Sequence, residues 1–156
     1  MKIKVKELEH EFPGLKTKCV VADFGKLNKM SEYEDLTKEL KVLDIGVLIL
    51  NAGVGGWGWI ADQEPKVIEE MINVNALHPA YLSKALLSTL LARSTMSGII
   101  ITCSGAGLIP MPGLGTYSAT KAFATYLGQG LSYELRGKID VEAFTCGLTD
   151  TNMTHN

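Results

Sequence analysis

Residues 104–121 read SGAGLIPMPGLGTYSATK. A serine, a tyrosine and a lysine stand there where they could move a proton. Tyr117 and Lys121 are four residues apart in a helical pattern, so their side chains leave one face of one helix. A phenol in water ionises only near a pH of about 10, too weakly for proton exchange at neutrality. An ammonium beside it favours the phenolate, and such a pair suits a group that gives or takes a proton near neutral pH. Ser104 ends the apolar run SGIIITCS, and the loop that follows is rich in glycine and proline. Its hydroxyl can return across that loop and hydrogen-bond a carbonyl oxygen on which charge develops. The same three residues also fit a helix-start tyrosine above a solvated lysine, and Tyr-x-x-x-Lys alone does not separate the two.

The elements that would hold these residues alternate. Residues 2–10 are predicted to end a helix, with Pro13-Gly14 as its stop. KTKCVVADF (16–24) reads as a strand turning polar at Asp23. Ser31 is a plausible N-cap for a helix over 31–41. IGVLILN (45–51) is a continuous apolar run, as in a strand buried on both faces. Residues 65–92 form a long helix with Pro65 near its start. Strands at 97–104 and 138–145 flank a second long helix over 116–136. This order predicts an α/β fold: a doubly wound, Rossmann-like parallel sheet with helices on both faces, in a single domain over 1–156. Such sheets bind ligands at the carboxyl ends of their strands, where Asp23, Asn51-Ala52-Gly53, Ser104 and Gly147 fall. In the helix at 65–92, Pro79 has no N–H to give the Asn75 carbonyl four residues back. That carbonyl is left for water, or the proline simply kinks the helix.

Composition narrows the classes. With 46% hydrophobic and 21% charged residues and a net charge of −2, the chain has neither the basic footprint of a nucleic-acid binder nor a polybasic membrane patch. Cys19, Cys103 and Cys146 are odd in number and widely spaced, which suggests buried thiols in a reducing compartment rather than a disulfide frame. No metal site is expected, because His10, His78 and His155 lie far apart in the sequence. The apolar stretch 45–61 is broken by Asn51 and glycines and is too short to span a bilayer.

ILNAG (49–53), NVNALHPAYLSKALL (73–87), TCSGAGLIP (102–110), YSATKAF (117–123) and CGLTDT (146–151) occur in order. Together they resemble the short-chain dehydrogenase/reductase family over nearly the whole chain. Their detail is most similar to the hydroxysteroid dehydrogenase and 3-oxoacyl-CoA reductase branch. The resemblance implies hydride transfer between NAD or NADP (NADP slightly favoured) and a small carbonyl or alcohol substrate. By the same resemblance Tyr117 matches the catalytic acid/base and Ser104 the residue that orients the substrate oxygen. Lys121 matches the lysine that activates the tyrosine and bonds the nicotinamide ribose. Asn75 matches the asparagine of the proton relay. Asn51, Ala52 and Gly53 match the segment beside the adenine ribose, and Asp23 the aspartate that bonds the adenine amino group. Gly147, Thr149 and Thr151 match the loop that meets the carboxamide and phosphates. The family's usual Pro-Gly is here Cys146-Gly147, and Cys103 stands where a serine is often found. Trp57 and Trp59 are placed either to line an apolar substrate mouth or to tuck against the body.

The family opens with a strand and a turn of the form Thr-Gly-x-x-x-Gly-x-Gly, whose N–H groups hold the pyrophosphate. This sequence has none. GVGGWG (53–58) follows a strand but does not open a helix. The expectation is a chain that starts within the family's second helix and stops before its substrate-covering segments. It is then a fragment of a complete reductase, a truncated homologue serving as a binding or assembly subunit, or a chain whose sheet a partner completes. The Asn51 strand would lie at an open edge and could drive homo-oligomer formation, and the Cys19 strand would lack its neighbour. The expected location is cytoplasmic, or the endoplasmic reticulum membrane if a full-length protein carries an anchor.

Overall fold

The computed structural model describes residues 2–147, 149 and 150. The chain begins with helix α1 (Lys2–Glu11) and helix α2 (Met30–Thr37), followed by strand β1 (Val47–Leu50). Helix α3 (Pro65–Ile72), a π turn (Asn73–Leu77) and helix α4 (His78–Leu91) come next. Strand β2 (Ser97–Ser104), a 3-10 turn (Gly105–Gly107), helix α5 (Gly115–Glu134) and strand β3 (Ile139–Cys146) complete it.

The three strands are parallel in the order β1-β2-β3, with Leu48 opposite Ile99 and Ile99 opposite Val141. Alternation along each strand sends Leu48, Leu50, Ile99, Ile101, Cys103 and Ile139 to one face, where Leu86, Leu90 and Ala124 of α4 and α5 pack on them. Each fully buried aliphatic side chain there contributes about 1.5–3 kcal/mol. The other face is open: Val47 is 57% and Ile49 60% exposed. The parallel α/β order and the strands at 97–104 and 139–146 agree with the sequence reading.

Four elements depart from it. Strand β1, read as buried on both faces, is buried on one, through Leu48 and Leu50. Residues 16–23 carry no strand. An extended segment becomes a strand only by pairing, and β1 pairs with β2 alone among the described strands. Asp23 therefore sits on a loop, not at a strand end. Helix α2 is capped not by Ser31 but by Glu32, whose carboxylate accepts the Lys29 N–H at 2.8 Å and the Asn28 N–H at 2.9 Å. A charged acceptor binds N–H groups more strongly than a hydroxyl does. The helix also stops at Thr37, whose hydroxyl bonds back to the Tyr33 carbonyl. Finally, the helix expected over 65–92 is two helices around the π turn. The His78 N–H reaches Asn73 O, five residues back.

An aromatic cluster seats α2 on α4. Tyr33, fully buried, packs edge-on to Tyr81 at 5.4 Å and parallel to Phe24 at 6.0 Å. Burial pushes the Tyr33 phenol up to about 12. Phe24 in turn lies 4.1 Å from the His78 ring.

The approach of α5 to β3 depends on Gly128, where an added Cβ would stand 2.9 Å from the Ala143 Cβ. Gly128→Val should cost about 1–3 kcal/mol through overpacking. Gly130→Ala in the same helix, where a methyl group meets nothing within 4 Å, should gain up to about 1 kcal/mol. Urea midpoints of both variants would check this. Equal effects would show that helix–strand contact is not what Gly128 serves.

Candidate active site

Lys121 organises the carboxyl end of the sheet. Its side chain is 5% exposed, and Nζ donates to the Thr102 carbonyl of β2 at 3.0 Å. Burial pulls its ammonium below the ordinary lysine range. Nζ also lies 5.9 Å from the centre of the Tyr117 ring, one helical turn earlier. Tyr117 is half-buried at the start of α5.

Ser104 ends β2 and caps the 3-10 turn, its Oγ accepting the Ala106 N–H at 3.2 Å. The turn rests directly on α5. A Cβ on Gly107 would lie 2.7 Å from the Lys121 carbonyl carbon, so only glycine permits this contact. The strand end that carries Ser104 and the helix that carries Tyr117 and Lys121 thus lie together at one end of the sheet.

Asn75 joins them from the π turn. It is 2% exposed. Its Oδ1 accepts the Val54 N–H at 2.9 Å, and its Nδ2 donates to Val54 O at 2.8 Å and to Thr120 Oγ1 at 3.1 Å. Thr120 Oγ1 passes on to the Tyr117 carbonyl at 2.8 Å. Gly53 lies between the two groups: a Cβ there would stand 3.3 Å from Lys121 Nζ and 3.5 Å from Asn75 Oδ1. Asn51 and Ala52 are exposed just beyond β1, and Asn51 Oδ1 accepts from Thr102 Oγ1 at 3.0 Å.

The remaining expected residues stand apart. Asp23 is exposed and pairs with Lys26 at 3.1 Å, which, ahead of the Gly25 N–H it accepts, holds its carboxyl below the usual range. Gly147 and Thr149 are exposed past β3, with Thr149 Oγ1 donating to Gly147 O at 3.2 Å. Thr151 lies outside the described residues.

Thr102 and Thr120 escaped the sequence reading. Thr102 is two residues before Ser104 on the same strand face, and Thr120 is one turn after Tyr117. Period two on the strand and period three to four on the helix would have marked both.

A family model described as short chain dehydrogenase matches residues 2–156. The chain belongs to this family. The very-long-chain 3-oxoacyl-CoA reductase of Anas platyrhynchos is 36% identical over 132 residues, 80% of this chain and 40% of that protein. The protein of the same name from Podospora anserina is 34% identical over 153 residues, 96% of this chain and 44% of that one. The short-chain dehydrogenase from Sphingobium yanoikuyae in complex with NADPH superposes with a TM-score of 0.85 at 29% identity, over 97% of this chain and 59% of that one. This short-chain dehydrogenase chain therefore spans less than half the length of those two reductases. Among its described residues no helix is long and apolar enough to cross a membrane, and no cluster of three or more potential metal ligands occurs.

Behind Asn75, burial holds the His78 imidazole down at about 4. Its ordinary value is 6.5, so between those limits the unfolded chain binds a proton that the folded chain does not. Stability should therefore fall as pH drops from 6.5 to 4, by up to about 3 kcal/mol, and be fully present above 6.5. His78→Asn should remove most of that slope. Urea midpoints at pH 7.5 and pH 5 measure it, and equal slopes in both proteins would refute the assignment.

Proposed function

We propose that this chain carries the catalytic part of an NAD(P)-dependent oxidoreductase acting on a carbonyl/alcohol pair, of the 3-oxoacyl or steroid type. The observation that carries the reading is the buried Lys121 ammonium, fixed on the Thr102 carbonyl beside Tyr117. The names of its relatives support the 3-oxoacyl substrate class, and the NADPH complex of a structural neighbour supports NADP over NAD.

The residues present fit the ribose and nicotinamide end of such a cofactor. An ammonium has three donors, and Thr102 takes one of those on Lys121. Gly53 keeps the backbone beside Lys121 clear of side chains, and Asn51 and Ala52 are exposed at the same rim. Gly147, Thr149 and Thr151 are assigned to the carboxamide and phosphate side, and Asp23 to the adenine. Among the described residues the pyrophosphate has no comparable cradle, since residues 53–58 run through a loop and α3 starts only at Pro65.

The bound dihydronicotinamide would supply the hydride taken up by the carbonyl carbon. Tyr117 gives its hydroxyl proton to the carbonyl oxygen, so the product is the alcohol, and Tyr117 regains a proton through the relay behind it. Ser104 donates a hydrogen bond to the same oxygen as charge develops. Lys121 stabilises the phenolate left on Tyr117. The Asn75 main-chain carbonyl, which receives nothing from Pro79, holds the relay water. Trp57 (76% exposed) and Trp59 (66% exposed) lie on the loop tied to the residues that precede Tyr117, where Gly58 N–H bonds Gly113 O at 2.9 Å and Thr116 Oγ1 donates to Gln63 Oε1. That apolar rim suits an acyl or steroid skeleton.

A second reading, a non-catalytic assembly subunit or homo-oligomer, is favoured by one feature. Strand β1 exposes Val47 and Ile49 and, among the described strands, lies at the edge of the sheet, where backbone groups invite pairing. Val47→Lys with Ile49→Lys should then abolish association in light scattering. A wild-type chain that is already monomeric would exclude this reading.

Catalysis is tested in a chain joined to a glycine-rich pyrophosphate turn. NADPH oxidation with a 3-oxoacyl thioester reads the rate. Tyr117→Phe should lower kcat about 100-fold or more with little change in NADPH affinity, whereas Lys121→Ala should weaken both. Near-normal turnover of Tyr117→Phe would overturn its role. The 156-residue chain alone should bind NADPH weakly in calorimetry, and micromolar binding would overturn the account of the pyrophosphate side.

A further inference from the structure

The π turn strands a carbonyl, and one side chain takes it up. In an α-helix the His78 N–H would go to Val74 O, four residues back. Here it goes to Asn73 O instead. In the π register the donor for Val74 O would be residue 79, and Pro79 has no N–H. Val74 is 5% exposed, so its carbonyl has little access to water, and a buried acceptor without a donor is costly. The His78 ring fills the gap, with Nδ1 3.2 Å from Val74 O. A carbonyl can only accept, so Nδ1 carries the proton. His78 is 2% exposed, and its ring packs on Phe24 at 4.1 Å with a tilt of 30°.

We infer that His78 is a positioning residue for Asn75. By holding Val74 O, its ring fixes the π turn from which the Asn75 amide clamps Val54 and Thr120. Asn75 is the next residue after Val74, and its three side-chain hydrogen bonds depend on where the turn points it. Losing the extra residue of the π turn would rotate one flank by about 100° around the helix axis against the other. Asn73, in the same turn, donates to Gly25 O at 2.9 Å, and Phe24 lies on His78. The turn is thus braced from the loop that carries Asp23. Phe24 and the Val74 carbonyl face the ring directly, and Lys121 is the charged group whose field reaches it.

What Asn75 is for rests on the function proposed above. Where its amide is held does not, and the test reads only that. In the 156-residue chain, amide exchange followed by NMR compares Val54 with the middle strand β2. His78→Leu, which keeps bulk but removes the donor, should speed exchange at Val54 about tenfold while β2 stays within about twofold of wild type. His78→Asn, whose Nδ2 can sit where Nδ1 sits, should restore slow exchange at Val54. An unchanged Val54 rate, or a rise matched along β2, would overturn the inference. If His78→Leu does not fold, the long-range nitrogen spectrum of the wild-type imidazole decides. A neutral ring protonated at Nδ1 is expected, and one protonated at Nε2 would overturn it.

Discussion

A buried ammonium must be given oxygen partners or it loses its proton, and that constraint shapes the carboxyl end of this sheet. Lys121 meets it with the Thr102 carbonyl. The bond ties α5 to β2 at the level where the strand ends. Everything nearby follows from that distance. The turn after Ser104 lies so close to α5 that Gly107 cannot carry a side chain. Gly53 borders Nζ itself. Thr102 uses its other oxygen, the hydroxyl, to hold Asn51 just beyond β1. One residue of the middle strand thereby sets the positions of a helix and a neighbouring loop.

The second constraint is covalent. Proline in a helix removes one donor, and the chain answers by changing register rather than by breaking. The shift to a π turn gives the His78 N–H to Asn73 and leaves Val74 to the His78 ring. The result is a helix whose two halves are out of phase, with Asn75 buried at the junction. Functional side chains are often found at such bulges because the local rotation aims one residue differently from its neighbours.

Local patterns carried much of this into the sequence. The apolar run at 97–104 and the spacing of Tyr117 and Lys121 depend only on neighbours in the chain, and both elements stand where the pattern puts them. The assignment of Asn75, Ser104, Tyr117 and Lys121 to one candidate site came from the family resemblance, not from spacing alone. What failed did so for want of distant information. KTKCVVADF has the composition of a strand, but pairing decides, and β1 pairs only with β2 among the described strands. Ser31 has the chemistry of a cap, yet the carboxylate of Glu32 outcompetes it. Pro79 announced a disturbance without revealing its form, because the missing N–H of a proline is common to a kink and a π turn.

The open side of the sheet and the candidate site make different demands. Val47 and Ile49 are written for a covered strand, and β1 presents them to water. Tyr117, Lys121, Ser104 and Asn75, however, hang on α5, β2 and the π turn, and the contacts described for them close among those elements, the 3-10 turn and the 53–54 loop. On the loop that leaves β1, Asn51 is anchored through Thr102 from the inner side, and Gly53 and Val54 are held against Lys121 and Asn75. Pairing at the outer edge of β1 would therefore add cover and stability without re-aiming the residues of the candidate site. The geometry around Tyr117 belongs to the packing of α5 on β2, whatever lies beyond β1.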